Sequence, residues 1–244
     1  MIAMASRTGT KRNLKALRKA GWWLLVSCAG VWRTEAFDKW VAENGCYTDF
    51  TQGKEFDPRR FSRFIHWCIR QPIKPQWIAL PDLVMQAAPS LERSLAWLRW
   101  LRRCPSLAGM KFMLVVQNGM DADAGLLARI RRIVGPLVGI FIGGDTVWKL
   151  ATRRFWCKLA HSLGSWCHVG RVNSMRRIED IGGVEEDGSD GADSFDGSSA
   201  SRFACTLPKL DRARRDQVNR RSQMSFGAIV EMPRHDPSPE RLAA

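Results

Sequence analysis

Short runs of β-prone apolar residues alternate with longer helix-like segments along most of this chain. The alternation predicts seven strands, at residues 22–29, 40–43, 77–80, 112–116, 137–142, 166–172 and 192–195. It also predicts helices between strands, at residues 57–70, 89–103, 121–134, 146–163 and 174–181. Such alternation is typical of a parallel sheet whose strands are joined by right-handed helical crossovers.

The length of the chain favours closure of this sheet into one barrel. The chain has 244 residues, near the ~250 residues typical of a (β/α)₈ barrel, and a weak eighth strand pattern spans residues 226–232. A doubly wound open sheet is the alternative, but the glycine-rich Gly-x-Gly-x-x-Gly turn expected after an early strand is absent. We therefore predict an α/β protein with a (β/α)₈ TIM-type barrel, regular or irregular, over residues 21–232.

Several segments lie outside the alternation. Residues 1–20 are basic and contain no acid, which predicts a basic N-terminal arm. The apolar run that follows ends in Leu-Val-Ser-Cys, a lipoprotein-like sequence, but it is short and fits a buried strand better. Residues 182–191 form an inserted acidic loop, residues 211–221 a basic helix, and residues 233–244 a flexible tail. No segment approaches the ~18 apolar residues of a membrane span, so we expect no membrane partner.

Charge and cysteine usage narrow the functional classes. The chain holds 38 Lys and Arg against 24 Asp and Glu, a formal charge of +14, which favours a polyanionic partner such as nucleic acid. Its seven cysteines form no Cys-x-x-Cys pair, so neither a disulfide framework nor a zinc ribbon is indicated. The pairs Cys157 with His161 and Cys167 with His168 fit core residues better than metal ligands, and we expect a reduced, cytoplasmic protein without a metal.

Polar residues follow the predicted strands at their carboxyl ends, where barrel enzymes carry their active sites. In chain order these are Glu43, Asn44 and Gly45, then Asp82, then Gln117, Asn118 and Gly119, then Gly143 and Gly144, then Arg171 and Asn173, and finally Asp193 and Asp196. One acid at a strand end commonly caps the next helix. Acids and amides at consecutive strand ends instead indicate one polar site at the mouth of the barrel.

The motifs at these strand ends resemble, in content and order, those of the 7-deazaguanine DNA transglycosylases, relatives of the tRNA-guanine transglycosylases. They are Glu-Asn-Gly-Cys-Tyr at 43–47, Leu-Pro-Asp at 80–82, Val-Gln-Asn-Gly-Met at 116–120, Ile-Phe-Ile-Gly-Gly at 140–144, His-Val-Gly-Arg-Val-Asn-Ser at 168–174 and Gly-Ala-Asp-Ser-Phe-Asp-Gly at 191–197. The resemblance covers about residues 22–203, and phage-encoded members of the family are similarly short.

The resemblance implies exchange of guanine in DNA for a 7-deazaguanine, such as 7-cyano-7-deazaguanine. By motif, Asp196 is the nucleophile, and Glu43 takes the place of the family's general acid/base aspartate. Asp82 reads the base, with Gln117 and the backbone of Gly143 and Gly144. The resemblance further implies DNA and a free 7-deazaguanine base as partners, no cofactor, and anti-restriction DNA modification in the cytoplasm of an infected bacterium.

The chemistry of these residues is consistent with base exchange. Two carboxyl groups can break and remake a glycosidic bond, one as nucleophile and one as proton carrier. A carboxylate such as Asp82 can accept both N–H donors of the guanine edge, and the target nucleotide must leave the stack to reach it.

Other roles and functions stay open at this stage. His168, Arg171, Asn173 and Asp193 are candidates for support or phosphate contact, and Asp193 is the alternative nucleophile. A tRNA-directed exchanger and a non-catalytic DNA-binding barrel are the alternative functions. The cysteine-rich zinc site of the tRNA enzymes has no counterpart here, which favours DNA. The oligomeric state is not indicated.

Overall fold

Eight parallel strands pair in chain order, and the eighth pairs back to the first, so the sheet closes into a barrel. The computed structural model describes residues 1–7, 10–183, 185 and 188–230. The strands are β1 Ile2–Ser6, β2 Trp23–Ser27, β3 Trp40–Glu43, β4 Ile78–Ala79, β5 Phe112–Val116, β6 Val138–Ile142, β7 Cys167–Val169 and β8 Ser194–Gly197. The predicted (β/α)₈ barrel is confirmed.

Helices follow the strands and surround the barrel. They are α1 Lys11–Lys19, α2 Cys46–Thr51, α3 Pro58–Arg70, α4 Ala87–Arg102, α5 Ala124–Ile133, α6 Thr146–Ser162, α7 Met175–Asp180, α8 Ser199–Arg202 and α9 Leu207–Val230, with a 3₁₀ turn at Pro105–Leu107. Side chains cap the amino ends of several, including Asp57 at α3, Asp123 at α5 and Asp145 at α6. The five helices predicted between strands are all present, within three residues at each end.

The predicted basic arm is wrong, because residues 1–20 supply the first strand and helix of the barrel. Strand β1 pairs with β2 on one side and β8 on the other, with Met4 opposite both Trp23 and Asp196. In α1 the basic residues face solvent, while Leu14 and Leu17 are buried. The amphipathic spacing was visible in the sequence, but the net basic charge obscured it.

The predicted eighth strand at residues 226–232 is also wrong. Residues 226–230 end helix α9, while residues 231–244, including the predicted tail from 233, lie outside the described part of the chain. The predicted basic helix at 211–221 is part of α9. This helix docks on the barrel, because Leu207 and Leu210 are buried and the indole N–H of Trp22 donates to Asp211 at 3.0 Å.

The acidic loop at 182–191 contacts helix α6 at the residues that the structure describes. Asp190 is buried and pairs with Arg154 at 3.4 Å, and Glu185 pairs with Lys158 at 3.0 Å. Residues 184, 186 and 187 of this loop lie outside the described residues. No helix in the described ranges is both long enough and apolar enough to cross a membrane.

Strand pleating divides the apolar side chains into two groups. One group fills the barrel interior: Met4, Leu25, Val41, Trp77, Ala79, Met113, Val115 and Phe141. The alternate residues of the strands join the larger core between the sheet and the helices. Since side chains alternate with a period of two along each strand, the position of these apolar residues also decides which polar residues near the strand ends face the mouth of the barrel.

Leu17→Ala tests whether α1 is part of the folded barrel. Leu17 is fully buried, so its truncation should lower the free energy of unfolding by about 2–5 kcal/mol, measured by urea denaturation. Lys15→Ala, on the exposed face of the same helix, should change it by less than ~0.5 kcal/mol. Equally small changes in the free energy of unfolding for both substitutions would contradict this result and indicate that residues 1–20 are a dispensable arm.

Candidate active site

A cavity of about 660 Å³ opens where the strands end at their carboxyl side. Its lining includes the predicted site residues Glu43, Asp82, Gln117, Gly143, Gly144, Arg171, Asn173 and Asp196. Its volume lies within the range of small-molecule sites. Predicted residues from six strand ends therefore meet in one place.

Asp82 lies in a frame of amide donors. Its two carboxylate oxygens accept from Asn44 Nδ2 at 2.8 Å and from Gln117 Nε2 at 2.6 Å. Burial raises its pKa to about 6, although the hydrogen bonds from Asn44 and Gln117 act in the opposite direction. Above that pH the group is a fixed carboxylate with lone pairs left for a ligand.

Gln117 connects Asp82 to the glycine turn after β6. Its Oε1 accepts from the backbone N–H of Gly144 at 3.0 Å and from that of Met85 at 2.9 Å. Gly144 has a φ of +65°, and a Cβ there would lie 2.4 Å from the Trp148 ring. A Cβ at Gly143 would lie 2.7 Å from Gln117 Nε2. Gly143 therefore leaves the Gln117 amide free to reach Asp82, and Gly144 permits the left-handed turn beside Trp148.

Asp196 lies inside β8 and points into the barrel. Its Oδ1 is 3.0 Å from His168 Nε2, and His168 Nδ1 is 2.8 Å from Ser194 Oγ. An ionised carboxylate only accepts hydrogen bonds, so the Nε2 facing it carries the proton. His168 is fully buried against Trp77 and Phe141, which hold its ring in place. His168 therefore holds the Asp196 carboxylate in one orientation.

Asp193 does not reach the cavity. It precedes β8 and faces outward, where its Oδ2 lies 2.9 Å from His161 Nε2 and accepts from the backbone N–H of Cys167 at 2.8 Å. The carboxylate of Asp193 raises the pKa of His161 to about 9. The possible roles of Asp193 as nucleophile or phosphate contact are therefore wrong. Side chains three residues apart in an extended chain point to opposite faces of the sheet, so Asp193 faces outward where Asp196 faces inward.

Glu43 is the last residue of β3 and pairs in the sheet register with Ser27 of β2. Burial is the main cause that raises the pKa of Glu43 to about 7; the negative charges of Asp196 and Asp82 act in the same direction, and hydrogen bonds from Ser27 and Gly45 oppose the shift. A carboxyl group with a pKa near neutrality can both give and take a proton.

Asn173 and Arg171 organise the loop after β7. Asn173 Oδ1 accepts from the backbone N–H groups of Ser198 and Ser199 at 2.8 and 3.0 Å, which joins this loop to the one after β8. Arg171 has a φ of +61° and crosses the mouth, where its guanidinium donates to the Gly144 carbonyl and stacks 3.9 Å from the Tyr47 ring centroid.

Four cations near the site were missed from sequence: Arg7, Lys149, Arg177 and Arg202. Lys149 is buried and donates to the Gly170 carbonyl, and burial, with the positive charge of Arg171, lowers its pKa to about 7. Arg7, Arg177 and Arg202 line the cavity. Lys149 lies in the first turn of α6, where a lysine is commonly exposed, so the local sequence does not indicate its burial. Across the described ranges, no cluster of His, Cys, Asp and Glu is arranged to hold a metal.

Comparisons with known proteins support the fold only. No protein-family model matches this sequence, and no curated protein matches it. Among solved structures, a citrate lyase from Burkholderia xenovorans LB400 is similar, with a TM-score of 0.52 and 10% sequence identity. The match covers 96% of this chain and 85% of that chain. At this identity the likeness shows a shared barrel architecture.

Glu43→Gln should stabilise the protein at high pH. The folded protein retains the Glu43 proton up to a pKa of about 7, whereas the unfolded chain loses it near 4.5, so stability falls as pH rises between these values. Glutamine does not ionise, and the gain should approach ~2 kcal/mol at pH 8, after discounting for partial exposure, and vanish near pH 4. Thermal unfolding across this range measures it.

Glu92→Gln is the matched control for that experiment. Glu92 is exposed on α4 and pairs with Arg129, which lowers the pKa of Glu92, so this variant should gain no stability at pH 8. Equal melting temperatures of Glu43→Gln and wild type at pH 8 would contradict a buried, destabilised carboxylate at residue 43.

Proposed function

We propose that this protein is a transglycosylase that replaces guanine in DNA with a 7-deazaguanine base. One observation carries the proposal: the same cavity holds a carboxylate framed by amides, Asp82, and a separate pair of acids, Asp196 and Glu43. The first arrangement suits recognition of a base, and the second suits chemistry at its glycosidic bond. The motif resemblance assigns the residues to the same two tasks.

The amide frame around Asp82 supports guanine recognition. Guanine presents two donors on one edge, its N1–H and its 2-amino group, and a carboxylate accepts both. The amides of Asn44 and Gln117 hold the carboxylate in one orientation, so the side chain loses little conformational entropy when a base binds. The glycine turn at residues 143 and 144 lines the same cavity, so its backbone lies close to a base bound there.

The pairing of Asp196 with Glu43 supports a double displacement. In the first step a carboxylate oxygen of Asp196 bonds to the anomeric carbon, the bond from that carbon to guanine N9 breaks, and protonated Glu43 gives its proton to the departing base. In the second step the incoming base gives its proton to Glu43 and bonds to the anomeric carbon, which releases Asp196. Each step breaks one glycosyl bond and forms another, so no external energy source is needed.

The near-neutral pKa of Glu43 suits this exchange. The group must be protonated in the first step and ionised in the second, and a pKa of about 7 makes both forms accessible at neutral pH. Ionisation of Asp196 also raises this pKa, so Glu43 holds its proton while Asp196 is the free nucleophile. The donor His168 directs the Asp196 carboxylate toward the cavity.

Asp196→Asn tests the nucleophile. We expect exchange, followed by mass spectrometry of nucleosides from DNA incubated with the protein and 7-cyano-7-deazaguanine, to fall roughly 1,000-fold or more. The wild type should form a denaturation-resistant adduct with DNA when no incoming base is present, and the variant should not. Parallel reactions with tRNA decide between the two polymers.

Asp193→Asn is the matched control, since Asp193 lies three residues away on the outer face of the barrel. The folded fraction of this variant should retain exchange and adduct formation. Full exchange activity in Asp196→Asn would contradict the role of Asp196 as nucleophile. If the wild type binds DNA without exchanging any base, the non-catalytic DNA-binding barrel is favoured.

Asp82→Asn tests base recognition separately from chemistry. The variant replaces a two-oxygen acceptor with an amide, and guanine binding measured by calorimetry should weaken roughly 100-fold, as expected for two charge-assisted hydrogen bonds. Wild-type binding should also weaken as pH falls through about 6, because protonated Asp82 loses an acceptor. Hypoxanthine lacks the 2-amino group and should bind more weakly than guanine. Equal affinities for the two bases would contradict this role.

A further inference from the structure

Four arginines line the cavity, and two of them have side chains without a charged or carbonyl partner in the described part of the protein. Arg7 pairs with Glu35. Arg171 is held by the Gly144 carbonyl and the Tyr47 ring. Arg177 and Arg202 also line the cavity, but the described residues offer neither of them an ion pair or a side-chain hydrogen bond. Two uncompensated guanidinium groups at a cavity mouth favour an anionic ligand.

These two arginines lie on one side of the cavity. Arg177 belongs to α7, after β7, and Arg202 ends α8, after β8. Asn173 joins the two loops through the backbone of Ser198 and Ser199. In barrels of this type the loops after the seventh and eighth strands frequently form a phosphate site.

Glu43 and Asp82 lie on the opposite side of the cavity. Glu43 ends β3 and Asp82 follows β4, across the barrel from the loops of Arg177 and Arg202. Asp196, on β8, lies on the same side of the cavity as Arg202, because the α8 loop directly follows that strand. A nucleotide with its base on Asp82 and its anomeric carbon at Asp196 therefore extends its sugar–phosphate toward Arg177 and Arg202.

We propose that Arg177 and Arg202 form a phosphodiester site that holds the backbone on either side of the extruded nucleotide. This inference rests on the proposed function, because it takes the ligand to be a polynucleotide. The two guanidinium groups bind phosphate oxygens and fix the sugar over Asp196, while base identity is read elsewhere.

Calorimetry with small probes tests the site without requiring exchange. The probes are deoxyguanosine 3′,5′-bisphosphate, deoxyguanosine, thymidine 3′,5′-bisphosphate and inorganic phosphate. Wild-type protein should bind the guanosine bisphosphate roughly 10-fold or more tightly than deoxyguanosine, as expected for charge-assisted contacts. In the double variant Arg177→Ala, Arg202→Ala this advantage should vanish, while deoxyguanosine affinity stays unchanged.

A second double variant, Arg176→Ala, Lys209→Ala, controls for net charge. Both residues are exposed, lie on α7 and α9, and are absent from the cavity lining. It should bind the bisphosphate as the wild type does. An equal loss in both double variants, no loss in the first, or no bisphosphate preference in the wild type would overturn the inference. Inorganic phosphate binding as tightly as the bisphosphate would also overturn it, since the site would then take a free ion.

The thymidine probe separates this inference from the proposed function. If both bisphosphates bind equally and both lose affinity in Arg177→Ala, Arg202→Ala, the phosphate site stands and guanine recognition fails. If guanine exchange proceeds and the variant binds the guanosine bisphosphate normally, the proposed function stands and the phosphate site fails.

Discussion

Pairing of β1 with β8 is the constraint on which the rest of this structure depends. It closes the barrel and places Met4 opposite Asp196. In a closed parallel barrel all strands end at the same mouth, so residues far apart in sequence, such as Glu43 and Asp196, line one cavity. Closure also gives the sheet an inner face, and Asp196, His168 and Ser194 point into it together. Without β1, the strand that carries Asp196 would be an edge strand open to solvent.

The mouth of this barrel concentrates negative charge in a strongly basic protein. Glu43, Asp82 and Asp196 share one cavity, and burial raises the pKa of the first two. Burying these acids lowers the stability of the folded protein, and such destabilising clusters of titratable groups are typical of functional sites. The protein limits the cost with hydrogen-bond donors, since Asn44 and Gln117 donate to Asp82 and His168 to Asp196. The amides of Asn44 and Gln117 carry no charge, so they orient the Asp82 carboxylate without cancelling its charge.

Positive charge is distributed differently around the same cavity. Arg171 crosses the mouth between Tyr47 and Gly144, and Lys149 lies buried beneath the loop that carries Arg171, with its pKa lowered to about 7. Arg177 and Arg202 lie on the loops after β7 and β8. The proposed division of the cavity into a base sector and a phosphate sector rests on the separation of Glu43 and Asp82 from Arg177 and Arg202 around the barrel. The overall charge of +14 attracts a polyanion, but only the local separation orients one.

The sequence by itself determined the fold class and the membership of the site. Alternating strand and helix patterns indicated the parallel barrel, and polar residues at strand ends indicated Asp82, Gln117, Glu43 and Asp196, because local periodicity and strand polarity are properties of short segments. The tertiary structure decided what depends on long-range pairing. It showed that residues 2–6 close the barrel and that residues 226–230 are helical, where basic charge and a weak apolar pattern had suggested the opposite. It also excluded Asp193, which faces His161, and added Arg177 and Arg202 to the cavity. Which face a side chain takes, and which distant group meets it, is set by strand register and barrel closure, and neither is encoded in any one segment.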